Sequence, residues 1–339
     1  MMTIPIFVPH LGCPHRCVFC NQWETSSVRT PPDAGFVRTK ILAHLGIRAP
    51  SIEHVEAAFF GGSFTAIDMD LQRDLLCAAY DFVREGALRG IRVSTRPDCI
   101  DGARLALLRD YGVRTVEIGA QSFDDRVLSE AGRGHCARDI ARASAAVKGL
   151  GFGLVIQLMP GLPGGDRAEA LRSAEEAAAC GPNAVRIYPT VVLERTRLAD
   201  LWREGRYAPL MLDEAVELTA DMRELFAERG ITVIRSGLHP LSPGEEASVL
   251  AGPYHPAFGF LVKARLKRRS MERAIEGALG TSRNAPGSLL LRIPRRGKEE
   301  YIGHRSENLD YLRRRFPEIR IAHAFADFDR MEIVIENST

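Results

Sequence analysis

The chain reads as an α/β protein in which parallel strands form an open sheet or a barrel, followed by a smaller basic α+β unit. Three observations predict this. Six apolar, β-rich runs alternate with stretches of three-to-four-residue apolar spacing, the unusual residues collect where those runs end, and the composition changes from Phe258 onward. At 339 residues the chain is long enough to bury a large core. Its formal charge of +2 hides an asymmetry, because from Lys263 onward 17 Lys and Arg face 11 Asp and Glu. No apolar run reaches membrane-spanning length and no secretory pattern opens the chain, so a cytoplasmic protein with reduced thiols and no membrane partner is expected.

The first strand, Thr3 to Pro9, leads into a loop carrying Cys13, Cys17 and Cys20 in CxxxCxxC spacing. Three thiolates on so short a loop suit one soft metal centre, yet closed zinc and iron–sulfur sites take four ligands and no fourth cysteine is near. One coordination position is therefore expected to stay open. A zinc knuckle recruiting His10 or His15 is the competing reading, but no second ligand pair follows at zinc-module spacing. The odd cysteine total argues against disulfides, and Cys77, Cys99, Cys136 and Cys180 read as small core residues.

Strand two, Val55 to Phe60, runs into Gly61-Gly62-Ser63-Phe64, where two residues without Cβ let backbone turn and approach a ligand. A helix over Asp70 to Glu85 leads to strand three, Ile91 to Thr95, which ends in Ser94-Thr95-Arg96-Pro97-Asp98. Another helix, Asp101 to Tyr111, precedes strand four, Thr115 to Ala120, ending in Gln121-Ser122. Two helical stretches, Asp124 to Ala131 and Ala137 to Leu150, flank Gly132-Arg133-Gly134-His135. The amide of Gln121 and the guanidinium of Arg133 suit a ribose and a carboxylate. Strand five, Phe152 to Met159, ends in the apolar turn from Gln157 to Gly164, which suits an adenine ring, as does Phe19. After a helix over Arg167 to Ala179, strand six, Ala184 to Tyr188, puts Tyr188 forward as the substrate-side catalytic residue, and a helix over Leu193 to Arg203 closes the series. Parallel strands joined this way collect function at their carboxyl ends.

Next come a helix over Leu212 to Glu228, a strand over Ile231 to Arg235, and a Pro/Gly-rich passage from Gly237 to Pro256 that reads as an extended loop over the barrel. A basic helix, Phe260 to Ala278, precedes a compact pattern: strand Ser288 to Ile293, a helix, the turn Ile302 to Ser306, helix Glu307 to Arg315, and strands Ile319 to Phe325 and Met331 to Ile335. The expected division is residues 1–240 for the core, 241–280 for a connecting loop and basic helix, and 281–339 for a small C-terminal domain.

These segments, taken in order through Arg186 to Thr190 and Leu201 to Tyr207, resemble the radical S-adenosylmethionine (radical SAM) domain of the Elongator catalytic subunit, in a form without the acetyltransferase domain. The resemblance spans roughly residues 5 to 240. It implies a partial (β/α)6 radical SAM barrel with the C-terminal α+β unit as an appendage. It also implies a [4Fe-4S] cluster on Cys13, Cys17 and Cys20, with S-adenosylmethionine on the open iron and cleaved reductively to methionine and a 5'-deoxyadenosyl radical. Gly61, Gly62, Ser63, Ser94, Gln121, Arg133 and Gln157 would surround S-adenosylmethionine, with Phe19 and Met159 against adenine. A low-potential donor such as a ferredoxin or flavodoxin is implied.

Elongator's catalytic subunit has a wider gap between its first two cluster cysteines, so its carboxymethyl-uridine chemistry is not carried over. Oxygen-independent coproporphyrinogen oxidase is also similar in CxxxCxxC, in the Gly-Gly turn and in Gly161-Leu162-Pro163-Gly164, but Gln22 stands where that family has a fourth cysteine. Gly303-His304-Arg305-Ser306 resembles the GxxG loop of a KH RNA-binding module, with Ser306 in place of the second glycine. Arg295, Arg296, Lys298, Gly303 and Arg305 are then the expected RNA contacts. The leading expectation is a radical SAM enzyme modifying RNA, transfer RNA foremost; the alternatives are a radical SAM enzyme acting on a small molecule or tetrapyrrole, and a metal-binding adaptor.

Overall fold

The computed structural model describes residues 2–8, 11–21, 30, 32–47, 55–281, 287–327 and 331–336. The elements are β1 (Met2–Val8), α1 (Ala34–Ile47), β2 (Val55–Gly61), α2 (Met69–Arg84), β3 (Gly90–Thr95), α3 (Gly102–Asp110), β4 (Val113–Gln121), α4 (Asp125–Glu130), α5 (Ala137–Gly149), β5 (Gly153–Leu158), α6 (Arg167–Ala179), β6 (Ala184–Ile187), β7 (Val192–Leu193), α7 (Arg197–Arg203), α8 (Leu212–Glu228), β8 (Thr232–Ser236), α9 (Pro243–Glu246), β9 (Val249–Ala251), α10 (Phe258–Thr281), β10 (Ser288–Pro294), α11 (Lys298–Ile302), α12 (Glu307–Arg315), β11 (Arg320–Ala326) and β12 (Glu332–Glu336). Contacts divide them into two compact units, Met1–Ala215 with Asp221–Pro256, and Val216–Ala220 with Ala257–Thr339. The long basic helix α10 thus groups with the second unit, whereas the sequence reading draws its boundary near residue 280.

In the first unit seven parallel strands, in the order β1-β2-β3-β4-β5-β6-β8, curl into a partial barrel. Residues of β2 and β3 are buried almost without a break, as expected for parallel strands covered on both faces. Side chains cap the helices that follow the strands: Asp68, Asp101, Asp124 and Asp166 accept backbone N–H groups at the starts of α2, α3, α4 and α6, and Thr196 does so for α7.

The barrel holds more than the sequence predicts. Helix α1 has no distinct apolar face, burying Val37 and Ile41 while exposing Phe36 and Leu42. Strand β8 joins the sheet as a seventh member beside β6. The passage after Gly237 is not a plain loop, because α9 forms and β9 pairs antiparallel with β7. Cys77 is exposed, which corrects its reading as a core residue.

In the second unit β10 lies between β11, parallel to it, and β12, antiparallel to it. Leu289, Leu291 and Ile293 of β10 pack with Met271 and Ile275 of α10 and Leu309 and Leu312 of α12. The Asn308 amide donates to the carbonyls of Ala264, Glu300 and Tyr301, tying α12 to α10 and α11.

Candidate active site

The cysteine loop is stitched to the elements beside it. Val18 N–H donates to the Ala131 carbonyl at 3.0 Å, Leu198 N–H donates to the Val18 carbonyl at 2.8 Å, and the Asn21 amide reaches the Glu194 carbonyl at 2.9 Å. Val18 and Phe19 pack on two small apolar clusters, one around Leu198 and Tyr207 and one around Val127 and Leu162. Cys13, Cys17 and Cys20 all face one cavity of about 160 Å³ at the carboxyl ends of the strands. Burial raises the Cys13 thiol pKa and Cys17 adds to the rise, while Arg96 and Arg133 pull it back. Among the described residues no three Cys, His, Asp or Glu side chains form a metal-ion cluster; the three thiols stand around the cavity wall.

Gly61 and Gly62 line the same cavity, but their need for glycine has a local cause. A Cβ on Gly62 would lie 2.0 Å from the Leu11 carbonyl oxygen, and one on Gly61 would lie 2.9 Å from that of Val8. The end of β2 is therefore pressed against the root of the cysteine loop, and Gly62 N–H donates to the Val8 carbonyl at 2.8 Å. Ser63 is held behind the cavity wall by residues that line it. It is fully buried, its hydroxyl lies 2.9 Å from that of Thr95, and it accepts from Arg96 N–H at 3.3 Å, so it fixes the end of β3. It is not among the residues that line the cavity, where the sequence reading expects it beside a cofactor.

Strand β4 ends in a bulge between Gly119 and Gln121, and Gln121 sits at φ 75°, a region that non-glycine residues seldom adopt. The bulge brings the Gln121 side chain to the cavity, where its oxygen accepts from the Gln157 amide at 3.2 Å. Strain of this kind gathers at functional sites. Arg133 lies between two glycines of positive φ, Gly132 and Gly134, which take the cysteine loop against them at the Arg16 carbonyl and the His15 ring. The guanidinium so placed donates through Nη1 to Cys17 Sγ at 3.1 Å and through Nη2 to the Gly119 carbonyl. Among the buried polar atoms of wall residues that make no hydrogen bond to the described residues are Ser94 Oγ, Arg96 Nη1 and Arg133 Nε.

Four charged strand residues close the barrel interior. Arg92 meets Glu56 at 2.8 Å and Glu117 at 3.7 Å, Arg186 meets Glu117 at 3.1 Å, and the Arg186 guanidinium stacks over Phe60. Burial raises the Glu117 pKa, opposed by Arg186 and Arg92. Arg186 also donates to the Tyr188 hydroxyl at 2.8 Å, and burial raises that phenol against the pull of Arg186. Tyr188 lies on the wall of a second, mostly apolar cavity of about 230 Å³ with Met159 and His239. Phe19, Cys20, Gly61 and Gln157 border both cavities.

All the proposed first-unit site residues except Ser63 therefore line these two neighbouring spaces. Arg96 and the four interior charges were not singled out in the sequence. Their signal was a lone charge inside or just after an apolar strand, at Glu56, Arg92, Arg96, Glu117 and Arg186. Of the suggested RNA contacts, Arg296 and Arg305 are exposed, Arg295 pairs with Asp327 at 3.2 Å, Lys298 lies over the Phe325 ring, and Gly303 is buried. His10 and Gln22 lie outside the described residues.

A family model described as Radical SAM superfamily matches residues 7–177, just over half of the chain, and one described as Radical_SAM C-terminal domain matches residues 182–268. The chain is 27% identical over 256 residues to the tRNA uridine(34) acetyltransferase of Dehalococcoides mccartyi, covering 66% of this chain and 56% of that one. It is 28% identical to Elongator complex protein 3 of Saccharomyces cerevisiae over 259 residues, covering 62% of this chain and 46% of the relative. Among solved structures, Elp3 of Methanocaldococcus infernus lacking residues 1–46 superposes with a TM-score of 0.63 at 20% identity, over 80% of this chain and 64% of that one, a likeness of fold. The chain spans about half the length of the curated relatives it matches.

Proposed function

The chain belongs to the Radical SAM superfamily, and on that premise we propose that it is an RNA-modifying enzyme whose substrate is transfer RNA. Members of the superfamily bind a [4Fe-4S] cluster and S-adenosylmethionine. The residues present fit that pair. Three thiols border one cavity, a strained bulge turns an amide into it, and buried donors of wall residues have no hydrogen-bond partner among the described residues. Cys13, Cys17 and Cys20 would hold the cluster; Gly61, Gly62, Ser94, Gln121 and Gln157 would border S-adenosylmethionine, with Phe19 and Met159 as its apolar contacts. When bound, the pair supplies one-electron chemistry able to open C–H bonds that no side chain here can attack.

The chain's own residues supply confinement and orientation. Arg133 donates to the Cys17 sulfur, the glycine turn of β2 seats the cysteine loop, and the Glu56–Arg92–Glu117–Arg186 network fills the barrel interior with paired charges. Tyr188, held by Arg186, is the candidate substrate-side residue in the second cavity. The superfamily chemistry needs an electron source, for which a ferredoxin or flavodoxin is the proposed donor. Transfer RNA is supported by what the relatives are named for and by the basic surface that carries Arg295, Arg296 and Arg305.

The observation carrying the reading is the convergence of the three cysteines, Gly61, Gly62, Gln121 and Gln157 on one cavity. The test is anaerobic reconstitution, dithionite reduction and assay for 5'-deoxyadenosine with and without transfer RNA, followed by nucleoside mass spectrometry. A new modified nucleoside, with RNA affinity that falls with salt and with replacement of Arg295, Arg296 and Arg305, is the expected result. Cluster-loaded protein that forms no 5'-deoxyadenosine overturns the enzyme assignment, and turnover indifferent to RNA overturns the substrate.

A further inference from the structure

Strand β11 lies at an edge of the second unit's sheet, and one position on it breaks the pattern of its face. Leu289, Leu291 and Ile293 of β10 are buried, and Ile321, His323 and Phe325 of β11 stand opposite them in register. Ile321 is buried and Phe325 is half-buried, yet His323, between them on the same face, is exposed. Its ring has a brace. It meets the Phe325 ring edge-on, with centroids 5.4 Å apart and planes at 65°. Phe325 in turn packs against the apolar core and carries Lys298 Nζ 5.4 Å from its centroid. The strand therefore presents a flat ring to solvent on a support that belongs to the core.

Positive charge gathers at the end of the same strand. Arg295 N–H donates to the Ala326 carbonyl at 2.9 Å, which brings Arg295 and the exposed Arg296 beside the last residues of β11. The strand itself carries no acidic residue, and Asp327, just after it, is paired with Arg295 at 3.2 Å. An aromatic face beside cations fits single-stranded nucleic acid, whose unpaired bases stack on rings, histidine included, while its phosphates seek positive charge. In a duplex the base faces are covered by their neighbours and cannot reach the ring. Resting on the reading that RNA is the substrate, we propose that His323 is a stacking platform for one unpaired base of a single-stranded RNA segment. Phe325 braces that ring, and Arg296 receives a flanking phosphate.

Fluorescence anisotropy of the full chain with a labelled single-stranded oligouridine of about ten nucleotides, repeated across salt concentrations, tests this. The wild type should bind that strand more tightly than the same strand annealed to oligoadenosine. His323→Ala should weaken the single strand by about fivefold or more while the slope of log affinity against log salt holds, because a stack rather than an ion pair is lost. His323→Phe should bind within about twofold of the wild type, since any ring face serves. Arg296→Gln should instead flatten the salt slope by about 0.7, the share of one phosphate. The stacking role is overturned by undiminished affinity in His323→Ala, by a slope that flattens in that variant, by His323→Phe binding as weakly as His323→Ala, or by equal binding of strand and duplex. An unchanged slope in Arg296→Gln overturns the phosphate contact. Wild type that binds no RNA, transfer RNA included, defeats the substrate reading itself.

Discussion

Arg96 and Arg133 in the first unit and Arg265, Arg268 and Arg269 in the second are all guanidiniums drawn largely out of water, yet their surroundings differ. In the second unit all three point at one carboxylate, Glu217, with Arg268 at 3.0 Å and also stacked over the Tyr311 ring. Burial raises the Glu217 pKa, but the three arginines outweigh it and hold the carboxyl below its usual range. At the first unit's cavity, by contrast, Arg133 points at a thiol, and Arg96, forked by Asp98, has no hydrogen bond at Nη1 among the described residues. Three cations that converge on one protein anion build scaffold; cations that border a cavity beside three thiols are arranged for a guest.

The sharpest way to break that contrast is to remove a thiol. Cys17→Ser should abolish bound iron and the iron–sulfur absorbance after anaerobic reconstitution, a loss of more than about tenfold in iron per chain, because a hydroxyl is a poor replacement for a thiolate ligand. Cys77→Ser, at an exposed position on α2, should load iron like the wild type. Equal iron in both variants would remove the cysteine loop from the assignment.

The arginine contrast is not legible in the sequence, but much of the fold is. Buried parallel strands write themselves as continuous apolar runs, so β2 through β6 emerge within a few residues, and the bounds of α6, α8 and α12 agree with those read from apolar spacing. The three cysteines stand out because that residue type is scarce and their spacing is tight, and the Gly-Gly turn because it directly follows an apolar run. Other features resist for physical reasons. Helix α1 mixes exposed Phe36 and Leu42 with buried Val37 and Ile41, which blurs its period. Strand β8 pairs with β6 across α7 and α8, and pairing between distant segments leaves no local mark. The direction of a side chain at a strand end depends on bulges and tight turns. Thus Gln121 enters the cavity and Ser63, on an equally promising motif, does not.

A pH titration sharpens the comparison from the first unit's side. The His135 side chain is 0% exposed and its pKa falls from 6.5 to about 4, chiefly through burial and then Arg133, with Asp98 opposing. The unfolded chain takes up this proton first, so stability falls as pH drops from 6.5 towards 4 and is unaffected above that window. Between pH 6.5 and 5 this side chain should account for about 2 kcal/mol of lost stability. His135→Gln should flatten the pH dependence of the urea midpoint by that amount, and an identical slope in the variant would contradict a buried neutral imidazole.

From the second unit's side, Glu217→Gln should lower stability by about 2 kcal/mol, since it leaves three guanidiniums without their shared carboxylate. Iron loading should not change. A loss of iron in this variant, or no loss of stability, would mean the arginine cluster is not the scaffold its geometry describes.

The smallest effect concerns the backbone. The first unit gives most of its left-handed positions to glycine, as at Gly61, Gly132 and Gly134, whereas the turn between α11 and α12 places Arg305 and Ser306 at φ 49° and 65°. Ser306 precedes α12 without making a side-chain cap bond, so its hydroxyl does not cap that helix. An L-residue in this conformation is held at a cost of about 1 kcal/mol, of which glycine's greater freedom in the unfolded chain returns part. Ser306→Gly should therefore raise the denaturation midpoint by an amount equivalent to under about 1 kcal/mol, while RNA affinity holds or improves because GxxG is the form such a clamp takes. A several-fold drop in affinity would show instead that the serine hydroxyl itself meets the RNA, making this turn a site that spends backbone strain on a contact, as Gln121 does at the cavity.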